Sequence, residues 1–593
     1  MTIEPTPPLV EERLATSARA DALHPNRLTN LQDHHHGPAD TRDPSSHGAS
    51  GFARMRDMAS TALRDVDTVI VGNGPSALIL SYILHGHIPY YARPHHDPLL
   101  RTKLESRRNL LDLTPDLYAH FQSSLRYSTQ ALPINTLLDT LIRPNADTEI
   151  DPESCVDWRY EPDKAVSHLA LGNPPHAGGQ WTDNPVSASN DIGTLSYAEM
   201  LSLPGYSFAD HWKALNGEPL PHFLRPTRKQ VAAYYKAYPH AVGIAESILN
   251  GAQVSGVSRT ADGFYIGSHG IRCKHLVLAS GIFSVNIPPP PLLSPLRSVH
   301  NVTKPLLVIG SGFSAADVII STPPHRKVIH MFNWSPEDRP SPLRGCHHQA
   351  YPEYAGIYRQ MKLAALSSSK SKAAASPLMR KKNNPFFARR DWASVYEGLA
   401  NATIVDVTSI DEFVKITIRL ESGDIIERAV GGIEYAVGRR GSLEYLDEPL
   451  RSEVIGTTTG GYEEEDEPLP GLISGRTLRD KAEEDLEIAP SVFLIGSLTG
   501  DSLVRHAFGA CAYAGGRILD AKHEFAGDNG CAASAAKTKI PTPPRSPVHK
   551  GVNGHSRNGS SPKIRPNGVS HQDLHLDRRK LPRAMVLQDA EKQ

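Results

Sequence analysis

Two glycine-rich segments constrain this chain more than any other feature. The first is Thr68-Val69-Ile70-Val71-Gly72-Asn73-Gly74-Pro75-Ser76-Ala77, and the second is Leu306-Leu307-Val308-Ile309-Gly310-Ser311-Gly312-Phe313-Ser314-Ala315. Each runs from a short apolar strand pattern into G-x-G-x-x-A and then into residues of helical character. The first glycine makes the tight turn and the second lets a pyrophosphate approach the backbone. The small third residue lets helix and strand pack closely, and the helix N-terminus faces the anion. Gly72, Gly74, Pro75, Ser76 and Ala77 therefore form one expected cradle, and Gly310, Ser311, Gly312, Ser314 and Ala315 the other. A single G-x-G can arise in any strand–turn–helix. Two in the same context imply two dinucleotides, a flavin in one fold and a nicotinamide delivered by the other.

The 593 residues suffice for two or three domains. Lys and Arg number 63 against 64 Asp and Glu, which gives no electrostatic case for nucleic-acid or membrane binding. Five scattered cysteines read as a reducing compartment, and the absence of C-x-x-C argues against a dithiol reductase. No N-terminal signal pattern is visible. The most apolar run, Ile70 to Leu84, contains the first fingerprint and reads as strand plus buried helix, not a membrane span. The expectation is a soluble, cytoplasmic protein.

Composition divides the chain. Residues 1–63 and 527–593 are polar and proline-rich and are expected to be disordered tails, with Thr542-Pro543 and Ser546-Pro547 in the second. Between them, 64–300 is expected to be the first part of an FAD-binding domain, 301–440 an inserted NAD(P)H-binding domain, and 441–526 the rest of the FAD domain. A pattern that occurs twice supports this. A turn at Asp262-Gly263 precedes Leu276-Val277-Leu278-Ala279-Ser280-Gly281, and a turn at Ser422-Gly423-Asp424 precedes Ile433-Glu434-Tyr435-Ala436-Val437-Gly438. Each module thus has a small meander feeding a strand that ends in Ala-x-Gly. The basic stretch Ser367 to Asn384 reads as a surface loop, the acidic run Glu463 to Glu467 as a solvated loop, and the histidine clusters as surface or loop residues.

Further candidates stand outside the fingerprints. Gly178-Gly179-Gln180-Trp181 offers a backbone that folds around a ligand and a flat apolar wall, although G-G-x-W also fits a turn before a core tryptophan. Asp501 follows the strand-like Val492 to Gly496 and precedes a helical segment, Leu503 to Leu519. Its carboxylate suits either ligand hydroxyls, such as a ribityl chain, or the helix N-terminus.

With these pieces in order, the chain resembles the flavin-containing monooxygenase superfamily, with Arg225 to Tyr235 matching that family's segment before the meander. Within it, the chain resembles the oxidative stress-induced growth inhibitor family. The residues carrying this are Val71-Gly72-Asn73-Gly74-Pro75-Ser76, Leu195-Ser196, Leu203-Pro204-Gly205, Tyr351-Pro352-Glu353-Tyr354, and Leu498-Thr499-Gly500-Asp501 with Val504-Arg505. The resemblance implies an α/β fold of two Rossmann-like three-layer dinucleotide-binding domains. It also implies FAD and NADPH as cofactors, hydride transfer from NADPH to flavin, and oxygen transfer to a small-molecule substrate. The alternative is a regulatory growth- or stress-control protein with little turnover, working with protein partners through its tails.

Three departures qualify the resemblance. The acidic residue expected about 20 positions after the first fingerprint, to hold a ribose, is missing from Pro89-Tyr90-Tyr91-Ala92-Arg93; Asp97 is a substitute. The F-x-G-x-x-x-H signature expected before the second fingerprint is missing from the stretch that begins Phe283-Ser284-Val285-Asn286-Ile287. No basic residue directly follows the second fingerprint's next strand, leaving Arg339, or Arg344, to read a 2′-phosphate. No residue is assigned a catalytic role, since the flavin carries the oxygen chemistry.

Overall fold

The computed structural model describes residues 64–112, 131–144, 153–368, 390–456 and 471–527. The expected tails, apart from Gly527, the run Glu463 to Glu467 and the loop beyond Ser368 lie outside the described residues. Ser367 and Ser368, expected in that loop, end the helix Pro352–Ser368.

The first fingerprint strand, Arg64–Val71, is central to a sheet in the order Glu487–Ala489, Val492–Leu494, Ile271–Leu278, Arg64–Val71, His168–Gly172, Ile248–Asn250. It is parallel to both neighbours, pairing Val71 with Leu171 on one side and with Leu278 on the other. Val69, Ile70 and Val71 are buried, as a strand covered on both faces requires. The following helix, Pro75–Leu84, is buried at every position from Ala77 to Leu84 and packs against the helix Phe508–Gly527. Their contact is close because it is lined by glycine: a Cβ on Gly515 would stand 2.8 Å from Ile83 Cγ2. The expected meander is present as Val257–Thr260, Gly263–Ile266 and Ile271–Leu278, each antiparallel to the next.

The second fingerprint strand, Leu306–Ile309, lies in a separate parallel sheet ordered Tyr396–Ala400, Val328–Phe332, Leu306–Ile309, Ile433–Tyr435. Alternation along its strands builds two cores. Val308 and Val328 face helices through Ile319, Ile357 and Met361, whereas Leu307 and Ile329 face Val414, Ile416 and Ile418. The latter belong to the antiparallel sheet Thr403–Ile410, Phe413–Arg419, Ile425–Val430. Helix, parallel sheet and antiparallel sheet make the three layers. The chain enters this module past Val285–Asn286 and leaves it through Arg439–Ser442, and these two strands pair antiparallel. The architecture is therefore α/β, with one dinucleotide-type module inserted into another.

One expectation about the first module is corrected. The segment searched for a ribose-binding acid, Pro89 to Arg93, does not follow the second strand of the parallel sheet. His87–Tyr91 pairs antiparallel with Val156–Tyr160, outside the main sheet. On one side the parallel neighbour of the fingerprint strand is His168–Gly172, displaced along the chain by an insertion that carries the helices Pro98–Glu105 and Pro133–Ile142. Asp97 caps the first of those helices, accepting from Leu99 N at 2.9 Å.

Candidate functional site

The two fingerprints share one local geometry. Gly72 has φ +134°, and a Cβ there would stand 2.3 Å from Ala279 O; Gly310 has φ +143°, and a Cβ would stand 2.3 Å from Ala436 O. In each module the Ala-x-Gly strand is drawn onto the first glycine by a backbone bond. Ala279 N donates to Val71 O at 2.9 Å, and Ala436 N to Ile309 O at 2.8 Å. The reason for small residues at these strand ends is thus the fingerprint turn itself, which they touch directly.

Gly74 and Gly312 are the N-caps of the helices Pro75–Leu84 and Phe313–Ser321, and neither receives a side-chain cap. Pro75 has no N–H to satisfy, which leaves the amides of Ser76 and Ala77 to face an anion. Beyond Gly312 the nearest atom to an added Cβ is Pro342 Cγ at 3.9 Å, an ordinary contact distance. Ser311 O accepts from Ser341 Oγ at 2.7 Å, and Ala315 packs under Gly310. Ser314 lies in the first turn of that helix.

The G-G-Q-W segment lies against the first cradle. Gly178 and Gly179 have φ +121° and +57°, a Cβ on Gly179 would stand 3.0 Å from Gly74 Cα, and Gly178 N donates to Asn73 O at 2.8 Å. Trp181 meets Tyr235 edge-on at 6.1 Å. Gln180 Oε1 accepts from Arg439 at 2.7 Å, a bond that links this loop to the exit strand of the inserted module.

Asp501 does not perform the capping task expected of it. It caps neither Val504–His506 nor Phe508–Gly527. Its Oδ2 accepts from Leu132 N at 2.8 Å and Asn135 Nδ2 at 2.6 Å, and its Oδ1 from Arg479 at 2.7 Å. It therefore serves the N-terminus of the helix Pro133–Ile142, an inserted element that the sequence reading did not recognise. Arg339 is exposed and its amide donates to Ser335 O at 3.0 Å; Arg344 donates to Pro336 O at 2.9 Å. Neither approaches the fingerprint glycines through any of these bonds.

Tyr354, Arg228 and Arg439, from separate parts of the chain, act on Asp317 in the second fingerprint helix. Tyr354, of Y-P-E-Y, donates its hydroxyl to Asp317 Oδ1 at 2.7 Å. Tyr351 donates to Leu195 O at 2.9 Å, and the Arg225 guanidinium lies 4.4 Å over the Tyr351 ring. Arg228 and Arg439 act on Asp317 through space, and Arg439 also lies 4.7 Å over Phe283, in the stretch where F-x-G-x-x-x-H was expected. Burial pushes the Asp317 carboxyl up to about 6 against the opposing pull of Tyr354 and the two arginines, and burial brings Arg439 down to about 10. No sequence spacing predicts this cluster, because its members come from separate parts of the chain.

These features define a protein with two dinucleotide-type folds, one threaded into the other, and a polar junction between them. By sequence, a mouse protein named oxidative stress-induced growth inhibitor 1 is 30% identical over 359 residues, 52% of this chain and 72% of the relative. Human oxidative stress-induced growth inhibitor 2 is 26% identical over 355 residues, 49% of this chain and 68% of the relative. The chain belongs to the oxidative stress-induced growth inhibitor family. No protein-family profile matches it. A solved flavin-containing monooxygenase from Stenotrophomonas maltophilia is 13% identical, covering 78% of this chain and 99% of that one at a TM-score of 0.39. A bacillithiol disulfide reductase from Staphylococcus aureus is 12% identical with the same coverage and TM-score. At these values the strand order described above, not the superposition, carries the fold. Among the described residues, no helix is long and apolar enough to cross a membrane.

Proposed function

We propose that this protein is an FAD-dependent, NADPH-using oxidoreductase of the monooxygenase type. The observation that carries the reading is the duplicated cradle, in which Gly72 over Ala279 and Gly310 over Ala436 repeat one geometry at the mouths of two uncapped helices. A pyrophosphate fits both cradles, since each presents first-turn amides and a glycine approach without a Cβ. Bound flavin and NADPH would supply hydride transfer to the flavin and, with oxygen, transfer of one oxygen atom to a small-molecule substrate.

The chain's own residues bind and position. Gly72, Gly74 and the Ser76 and Ala77 amides hold the FAD pyrophosphate, with Gly179 and Trp181 as its wall. Asp501 Oδ1 takes one described bond, and a carboxylate offers about four acceptor positions, which leaves capacity for a ribityl hydroxyl. Gly310, Gly312, Ser314 and Ala315 hold the NADPH pyrophosphate, and Arg339 reads the 2′-phosphate. Gln180 and Arg439 brace the first cradle against the inserted module.

An absorption spectrum before and after anaerobic NADPH tests the proposal. A bound-flavin spectrum that bleaches on NADPH is expected. A protein that stays colourless after FAD is added would refute it. That result would favour the second reading, to which the relatives' name points: a growth-control protein acting through protein partners.

A further inference from the structure

The second parallel strand, His168–Gly172, ends where a dinucleotide fold places the acid that grips the adenosine ribose. Gly172 and Asn173 stand there, and neither carries a carboxylate. The space above Gly172 is already filled. A Cβ on Gly172 would lie 2.1 Å from Cγ and 2.5 Å from Oδ1 of Asn73, the residue between the two fingerprint glycines. An acidic side chain and the Asn73 amide are therefore mutually exclusive at this point.

Asn73 is held in place. Its Nδ2 donates to Asn250 Oδ1 at 2.8 Å, His176 O at 3.2 Å and Pro174 O at 3.3 Å. These three acceptors fix the amide orientation, because a flipped amide would set its oxygen against two carbonyl oxygens. The residue is 1% exposed, and Oδ1 is buried with no hydrogen-bond partner among the described residues. That costs free energy which a simple loop tie would avoid. A ribose hydroxyl has no route to this oxygen while the loop Pro174 to Gly178 stays bonded over it.

We infer that the Asn73–Gly172 pair closes the ribose clasp of the first cradle, so that this site holds a flavin dinucleotide by its pyrophosphate without reading the adenosine ribose hydroxyls. The inference rests on the FAD reading above and adds a specificity to it. In its ordinary form the clasp is a charged hydrogen bond, worth about tenfold or more in affinity.

The test is equilibrium binding, by flavin fluorescence, of FAD and of FAD analogues lacking the 2′- or the 3′-hydroxyl of the adenosine ribose. The full chain is expected to bind all three within about twofold. A loss of about tenfold for either analogue would overturn the closed clasp while leaving FAD binding intact. Failure to bind any of the three would overturn the FAD reading itself, and the inference with it. A paired variant, Asn73→Ala with Gly172→Asp, removes the plug and restores the acid. If it folds, as judged by its melting transition, it should prefer FAD over one analogue by about tenfold. A folded variant that gains no preference would also overturn the inference.

Discussion

Replacing Asp317 by Asn tests the junction between the modules. Asn keeps an oxygen to accept from the Tyr354 hydroxyl and mimics the protonated carboxyl, so the substitution isolates the cost of ionising this group in place. An ordinary aspartate titrates at 3.8, whereas burial pushes Asp317 to about 6. In the folded chain the proton is held more tightly than in the unfolded one. The stability this provides is complete below pH 3.8 and is lost as pH rises through about 6. The full difference corresponds to about 3 kcal/mol. Asp317→Asn should therefore exceed the parent by about 3 kcal/mol at pH 7.5, and by roughly half as much at pH 5, where the parent carboxyl is still largely protonated. Urea midpoints of both proteins, followed across this range by tryptophan fluorescence, measure the difference. Other titrations cancel in the comparison. If the variant is instead the less stable protein at pH 7.5, and the deficit shrinks on acidification, attraction to Arg228 and Arg439 outweighs desolvation and the argument fails.

Other outcomes follow from geometry already described. Gly72→Ala and Gly310→Ala should each cost at least about 2 kcal/mol, because both combine positive φ with a clash against a strand carbonyl; thermal melts of the two variants should show the same direction. His168 and His330 are buried and held neutral, each pushed down to about 4 and bonded at both ring nitrogens. Their contribution is complete above pH 6.5 and is lost as pH falls toward 4, so His168→Gln should flatten the acid limb of a stability–pH curve. Gly509→Ala would set a Cβ 2.3 Å from Ile134 O, so it should loosen the contact of the helices Pro133–Ile142 and Phe508–Gly527 and raise proteolysis there. Arg339→Ala should lower the preference for NADPH over NADH, measured by the rate of flavin reduction with each.

The fingerprints, meanders and Ala-x-Gly strands were legible in the sequence because local geometry dictates them: a positive-φ turn needs glycine, and a strand end pressed on that turn needs a small residue. The length of the insertion before Gly172 was legible, but its internal pairing was not. His87–Tyr91 has the apolar character of a strand but not the partner expected for it, and pairing is a long-range property. The same insertion misdirected the search for a ribose acid to Pro89 to Arg93 and hid the task of Asp501, whose partners at Leu132 and Asn135 are remote in sequence. The Asp317 cluster was equally opaque. Its tyrosines and arginines are individually ordinary, and only folding brings them to one carboxylate.

The paired strands at Val285–Asn286 and Arg439–Ser442 have a mechanical consequence. The only described covalent paths into and out of the inserted module run side by side, zipped at Asn286–Arg439 and Val285–Arg440. Two unpaired tethers would let the module roll, slide or drift in several directions. A ribbon resists shear between its strands and yields chiefly by twisting and bending as a unit. Arg439 sits on that ribbon and also donates to Gln180 beside the first cradle, so one side chain ties the ribbon to the loop that lies against the first fingerprint.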